Sequence, residues 1–293
     1  MTGMREPLNS PGKLLEAMNS ELKSRLAGIR HVALDMDGTI YLGGTVFPYT
    51  IPFLEKLDRL DISYSFLTNN PTKSIDDYIG KLHGLGIPCR EDQMYSTATA
   101  TIDYIRTHYP SARRLFLLGT PSMISQFEGA GFVSCSDNPA DVPDVVVAAF
   151  DMTLQYSRLC RCAWWISKGL PYIATNPDWV CPTDLETILV DCGSICKCLE
   201  GATGRTPDVF IGKPNPDILY GVLGSKGVKP SEAAMVGDRI YTDVKTGINA
   251  GALGVLVLSG ETTMDIVRTS DVKPSLICRD IEEFGNLLEE ARL

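Results

Sequence analysis

The sequence predicts an α/β fold built on parallel sheets, with a second α/β domain inserted into the first, and three observations carry that expectation. Apolar runs of strand length recur as HVALDM, SYSFLTN, RRLFLLG, DVVVAAF, PYIATN, AAMVGD, LGVLVLS and PSLIC. They are continuous and not alternating, as strands covered on both faces require. Most are followed by stretches with helical spacing, the rhythm of strand-helix-strand units. The third observation is one of distribution. Strand ends rich in chemistry fall in two groups, two before about residue 75 and two after about residue 208, with roughly 120 residues between them.

Taken in order, residues 11–27 carry Leu14, Leu15, Met18, Leu22 and Leu26 at amphipathic spacing, with Ser10 as N-cap and Pro11 at the first helical position. A packing helix is expected there. The first core segment follows and takes in the first two strands. The middle contains three strand-plus-helix patterns of its own, enough for an independent sheet. The Gly- and Pro-rich stretches GLGIP and GATGRTP set its limits, so the predicted domains are residues 1–85, an inserted α/β cap at 86–206, and the rest of the core at 207–293. No long repeat or low-complexity segment interrupts this order.

Composition narrows the function. A chain of 293 residues with 44% hydrophobic content can bury one large core or two smaller ones. A formal charge of −9 argues against a nucleic-acid partner, because such binding runs on clustered Lys and Arg. No apolar run is long enough to span a bilayer, and the opening MTGMREPLNSPGK lacks the basic start and apolar core of a secretory signal. A cytoplasmic location is expected. Nine cysteines without regular short spacing read as reduced thiols. Cys192, Cys196 and Cys198, with Cys181 upstream, are expected to pack as small apolar side chains and not as a zinc cluster, and Cys160 and Cys162 likewise. Core packing is also expected for Trp164 and Trp165.

Four strand ends carry the chemistry. In HVALDMDGTIY a buried strand ends in Asp35 and Asp37, and a period of two aims both the same way. At the carboxyl end of a parallel strand they would face the ligand crevice and could share a cation. Asp35 is a nucleophile candidate, and Gly38 allows close backbone approach. An Asp-X-Asp-Gly run also occurs in calcium loops, but an EF-hand needs a further oxygen ligand and a later Glu, and Ile40, Tyr41 and Leu42 continue apolar.

SYSFLTNNPTKS places Thr68, Asn69 and Asn70 at a second strand end. Their donors suit phosphate oxygens, although Asn-Asn-Pro is also a routine turn and helix cap. VFIGKPNPDIL offers Lys213 between Gly and Pro, where an ammonium could neutralise both a phosphate and an anionic nucleophile. AAMVGDRIYTDVKTGINAGA ends a strand in Asp238, with Asp243 one helical turn on, and both could help hold Mg²⁺. Together the four supply the inventory for metal-assisted phosphoryl transfer.

These four segments, DMDGT at 35–39, Thr68 in LTNN, Lys213 in GKPNPD and GDRIYTD at 237–243, resemble in order the four motifs of the haloacid dehalogenase superfamily. The TNN, the GKPNPD form, the long insertion and ATNPDWVCP at 174–182 look like its NagD or 4-nitrophenylphosphatase branch. The resemblance covers nearly the whole chain from about residue 28. It implies a Rossmann-like core with a mobile α/β cap. It further implies attack on phosphorus by Asp35, and Asp37 protonating the leaving oxygen and then activating water. Mg²⁺ would be held by the Asp35 carboxylate, the Asp37 carbonyl and Asp238, with Asp243 in support, while Thr68, Asn69, Asn70 and Lys213 grip the phosphoryl group. Members that cleave carbon–halogen bonds lack an acid at the position of Asp37, which disfavours dehalogenation.

The expected activity is therefore Mg²⁺-dependent hydrolysis of a small phosphorylated metabolite. Substrate preference would live in the cap, where Asn176, Asp178 and Cys181 are candidates. Relatives with such caps often pair, so a homodimer through the cap is expected, with Trp164, Trp165 and the first helix as candidate surfaces. Two other functions use the same residues. A phosphosugar mutase would release an isomerised sugar phosphate in place of free phosphate, and a phosphate-binding protein without turnover would have lost a motif residue.

Overall fold

The computed structural model describes residues 20–181, 183 and 186–293. The proposed start of the first helix at Ser10 and Pro11 lies outside them. In chain order the elements are α1 (Ser20–Ala27), β1 (His31–Leu34), the short strands β2 (Tyr41–Leu42) and β3 (Thr45–Val46), α2 (Thr50–Arg59), β4 (Ser63–Thr68), α3 (Ile75–Gly84) and β5 (Met94–Ser96). Then come α4 (Thr97–His108), β6 (Arg114–Leu118), α5 (Pro121–Gly129), β7 (Val133–Ser134), β8 (Val145–Ala148), α6 (Tyr156–Ser167), β9 (Tyr172–Ala174), β10 (Val180–Cys181) and β11 (Leu189–Val190). The chain closes with α7 (Cys192–Thr203), β12 (Val209–Phe210), α8 (Asp217–Lys226), β13 (Ala233–Gly237), α9 (Lys245–Ala250), β14 (Leu253–Val257), α10 (Met264–Thr269), β15 (Leu276–Cys278) and α11 (Ile281–Glu290). These elements form two compact α/β units. One comprises the described residues up to Tyr64 together with Leu223–Leu293, and the other comprises Ser65–Val222.

In the first unit β15, β14, β13 and β1 lie side by side in that order, all parallel. Every residue of β1, β13 and β14 is buried, which is why HVAL, AAMVG and LGVLV read as unbroken apolar runs. Helices α2 and α11 turn Phe53 and Phe284 toward one another, ring centres 6.3 Å apart. The Lys56 ammonium donates to Glu289 at 2.9 Å on the rim of that contact. Helix α9 lies so close on β14 that a Cβ on Gly247 would stand 2.9 Å from the Gly254 Cα, so glycine is required there. The start of β4 joins this unit through Ser63, whose N–H donates to Arg30 O at 3.1 Å.

The second unit holds a parallel sheet in the order β12-β9-β8-β6-β7. Phe116, Val146, Phe150, Trp165, Tyr172 and Ile195 form its core with α6 and α7. It also contains the parallel pair of β4 with β5, and an antiparallel pair of β10 with β11. The packing expected for Trp164, Cys160 and Cys198 is not what the fold shows. Trp165 is 5% exposed and Trp164 is 45% exposed, with the Lys168 ammonium 4.1 Å over its ring. Cys162, Cys192 and Cys196 are buried while Cys160 and Cys198 are exposed. The reason is helical period: successive residues are turned by about 100°, so Trp164 and Trp165 cannot both face the sheet, and Cys198 points away from the face shared by Cys192 and Cys196. Among the described residues no helix is long and apolar enough to cross a membrane.

Candidate active site

In the first unit the parallel register of β1 with β13 runs from His31 opposite Ala233 to Leu34 opposite Val236. The Asp35 N–H continues the ladder to Val236 O at 2.9 Å. The two strands therefore end together, and the next residues are Asp35 on one and Gly237 and Asp238 on the other. After Asp238 the backbone winds through a π-helical turn, Ile240–Val244, which returns Asp243 to the strand end. The Asp243 carboxylate accepts from the Arg239 N–H at 3.1 Å. Oxygens of Asp35, Asp238 and Asp243 then lie within 4.8 Å of one another.

Glycines make this density possible. A Cβ on Gly38, whose φ is +82°, would stand 2.5 Å from Asp238 Oδ2, and Cβ atoms on Gly260 and Gly237 would run into Asp238 and Asp243. Asp238 Oδ2 accepts from the Glu261 N–H at 2.7 Å. Its other oxygen, Oδ1, is buried with no hydrogen-bond partner among the described residues. Burial, with Asp35 and Asp243 beside it, pushes the Asp238 carboxyl up to about 8. Three carboxylates gathered at one strand end, two of them buried, repel each other, and a buried carboxylate oxygen without a hydrogen-bond partner is suited to a cation. The donor set is all oxygen, which suits a hard divalent ion such as Mg²⁺. Asp37 stands apart from this group, exposed at the turn after Asp35.

Burial works against charge on Arg239, but Tyr241, Glu261, Asp35 and Asp243 hold it firmly protonated. Its Nε is 2.9 Å from Glu261 Oε2, so the cation is fixed beside the carboxylates. The loop 259–262 supplies much of the frame, and the sequence reading took in only its first residue, Ser259, as the end of the strand run LGVLVLS.

In the second unit Thr68 closes β4, and its hydroxyl accepts from the Asn70 N–H at 3.1 Å. Asn70 Oδ1 accepts from the Thr72 N–H and hydroxyl at 2.9 and 2.6 Å, the local turn that Asn-Asn-Pro suggests. Asn69 does something different. Its Oδ1 accepts from the Lys213 N–H at 2.8 Å and its Nδ2 donates to Lys213 O at 3.0 Å, a two-point clamp across 144 positions. The same Nδ2 donates to Asp178 Oδ2 at 2.7 Å. The side-chain amide of Asn69 is thus spent on holding other groups. Gly212 is required at this clamp, since its Cβ would stand 2.8 Å from Asn69 Oδ1 and 2.9 Å from Thr175 O.

Lys213 is 2% exposed, unlike an ordinary solvated lysine. Asn176 is buried and donates to Asp178 at 3.0 Å and to Asp191 at 2.9 Å. Asp191 caps α7 at its N-terminus. The cap candidates Asn176 and Asp178 are therefore parts of one network that reaches Lys213, and Asn70 Nδ2 lies 3.7 Å from Cys181 Sγ. Asp191 was not foreseen, since nothing in TNPDWVCP points fifteen residues ahead.

Comparison with known proteins gives the family of the chain. Residues 32–133 match the family described as haloacid dehalogenase-like hydrolase, and residues 210–284 match a second family described as HAD-hydrolase-like. An acid sugar phosphatase of Staphylococcus aureus (strain USA300) is 32% identical over 257 residues, 88% of this chain and 97% of that protein. A crystal structure of 4-nitrophenylphosphatase from Thermotoga maritima is 39% identical with a TM-score of 0.84, over 89% of this chain and 98% of that one. NagD from E. coli K-12 is 27% identical with a TM-score of 0.78, over 87% and 98%. With such identity over nearly the full length of its relatives, the chain belongs to the haloacid dehalogenase-like hydrolases, on the phosphatase branch of NagD and the 4-nitrophenylphosphatases.

Proposed function

We propose that this protein hydrolyses small phosphomonoesters with the help of Mg²⁺, through a phospho-aspartate on Asp35. The observation that carries the proposal is the gathering of the Asp35, Asp238 and Asp243 carboxylates at the end of β1 and β13, with one oxygen of Asp238 buried and without a hydrogen-bond partner among the described residues. Asp35, Asp238 and the carbonyl of Asp37 would hold the ion, with Asp243 in support. The ion supplies positive charge that offsets the repulsion between an attacking carboxylate and a phosphate dianion.

The residues divide the remaining work. Asp35 attacks phosphorus, forming its acyl phosphate as the ester oxygen leaves. Asp37, exposed at the turn after Asp35, gives a proton to the leaving oxygen and later takes one from the water that hydrolyses the acyl phosphate. The buried Lys213 ammonium and the Thr68 hydroxyl bind phosphoryl oxygens, with Asn70 as a secondary contact. Asn69 serves that group by fixing the Lys213 backbone.

The proposal extends to organisation and setting. The cap is the insertion at 86–206, flanked by core segments 1–85 and 207–293, and its loop with Asn176, Asp178 and Cys181 meets the part of the substrate beyond the phosphate. The substrate is a small phosphorylated metabolite, with the sugar phosphatase relative favouring a phosphosugar. The protein works in the cytoplasm and pairs through its cap.

Phosphate release from 4-nitrophenyl phosphate and a panel of sugar and polyol phosphates tests this, with Mg²⁺ or EDTA, for wild type and Asp35→Asn. The expected result is metal-dependent turnover lost in the variant. Turnover that survives Asp35→Asn, or that ignores EDTA, would refute the mechanism, and an isomerised sugar phosphate without free phosphate would favour the mutase reading.

A further inference from the structure

Asp37 differs from the other carboxylates in being exposed, so its aim depends on the main chain that carries it. That chain is held at the next residue, Gly38, on three sides. The Gly38 N–H donates to Tyr41 O at 2.7 Å. The Cα face of Gly38 rests against Asp238, leaving no room for a Cβ. The third hold comes from the far end of the sequence, where the Ser259 hydroxyl donates to Gly38 O at 2.7 Å across 221 positions.

Ser259 opens a loop that is otherwise fastened around Asp238. The Glu261 N–H donates to the Asp238 carboxylate at 2.7 Å, and the Thr262 N–H donates to Asp238 O at 3.2 Å. The Thr262 hydroxyl accepts from the Ile240 N–H at 3.2 Å. The Glu261 carboxylate holds Arg239 on one oxygen and accepts from the Tyr241 hydroxyl at 2.7 Å on the other. One short loop therefore ties the turn bearing Asp37 to the strand end bearing Asp238, and Ser259 makes the tie to the Asp37 side.

We infer that Ser259 is a positioning residue for Asp37: its hydrogen bond to the Gly38 carbonyl sets where the general acid stands over the leaving oxygen. The inference rests on the proposed role of Asp37. Removal of the hydroxyl leaves Gly38 with its other two holds and frees the turn to shift, and small displacements of a proton donor are costly.

The test exploits a property of the leaving group. 4-Nitrophenolate departs without a proton, whereas the alkoxide of a polyol phosphate needs one. Wild type, Ser259→Ala and Ser259→Thr are assayed for kcat/KM on 4-nitrophenyl phosphate and glycerol phosphate, because kcat/KM reports the step in which the leaving group departs. The expected result for Ser259→Ala is a loss on glycerol phosphate about 10-fold or more larger than on the aryl ester. Ser259→Thr, which keeps the hydroxyl, should restore the alkyl activity.

An equal loss on both esters, or no loss, would overturn the inference while leaving the proposed function standing. Absence of turnover by wild type on either ester would overturn both. Should Ser259→Ala fail to fold, Ser259→Cys, with a weaker donor, is read by the same ratio.

Discussion

Replacement of Asp238 by Asn should stabilise the metal-free protein while weakening its response to Mg²⁺. Asp238 is pushed from 3.8 to about 8 by burial and by Asp35 and Asp243. A carboxyl whose folded value lies above its unfolded one costs nothing below about pH 4, and its cost grows with pH until the folded value is passed. At about 1.4 kcal/mol per pH unit, that cost is about 2 kcal/mol at pH 5 and about 4 kcal/mol at pH 7. Asn keeps an oxygen for the Glu261 N–H and carries no charge, so the cost disappears. In EDTA at pH 7 the variant should melt higher than wild type, by on the order of 8 °C. Wild type in EDTA should also lose stability between pH 5 and pH 7, where the variant does not. With Mg²⁺ at about 100 times its Kd, wild type should gain about 2.7 kcal/mol and the variant much less. Differential scanning fluorimetry across pH, with EDTA or Mg²⁺, reads all of this. An Asn variant that melts no higher than wild type in EDTA, with the same slope between pH 5 and 7, would refute the electrostatic account of the site.

Three further outcomes follow from the geometry. His31 is buried, and burial, then Lys226, lowers it from 6.5 to about 4. Since its folded value is depressed, the stability it supports is complete above about pH 6.5 and is lost as pH falls toward 4, about 3 kcal/mol in all. Denaturant titrations of the Mg²⁺-loaded protein at pH 7 and pH 4.5 should show that limb in wild type and a flatter one in His31→Leu. Asn69→Ala removes the side-chain amide that bonds the Lys213 N–H and C=O. It should cost about 2–4 kcal/mol of stability and on the order of 10–100-fold in kcat/KM, and values within twofold of wild type would show that the clamp does not matter. Gly38→Ala forces a side chain into positive φ and toward Asp238 Oδ2. Loss of the Mg²⁺-induced rise in melting temperature is expected, and isothermal titration with Mg²⁺ checks it independently.

Much of the core was legible because its strands are buried on both faces, and continuous apolar runs such as VVVA and LGVLV have few other uses. The motif residues were legible for a related reason: each sits at a strand's carboxyl end, where an apolar run stops at a polar residue. Asp243 is informative in another way. Its spacing from Asp238 suggested one helical turn, and a π-helical turn is what returns it to the strand end.

What the sequence determined by itself was local: which segments are strands, which polar residues end them, and which inventory of chemical groups they present. The tertiary structure decided what each group touches. Asn69 looked like a phosphate ligand, and its amide is engaged by Lys213 and Asp178. Ser259 looked like the tail of a strand, and it holds the Gly38 carbonyl. Trp164 and Cys198 looked like core residues, and the rotation of their helices turns them outward. The physical reason is common to all of these. Hydrogen-bond capacity and burial are settled by neighbours 100 or 200 positions away, and apolar patterning along a chain records that a surface is covered without recording what covers it.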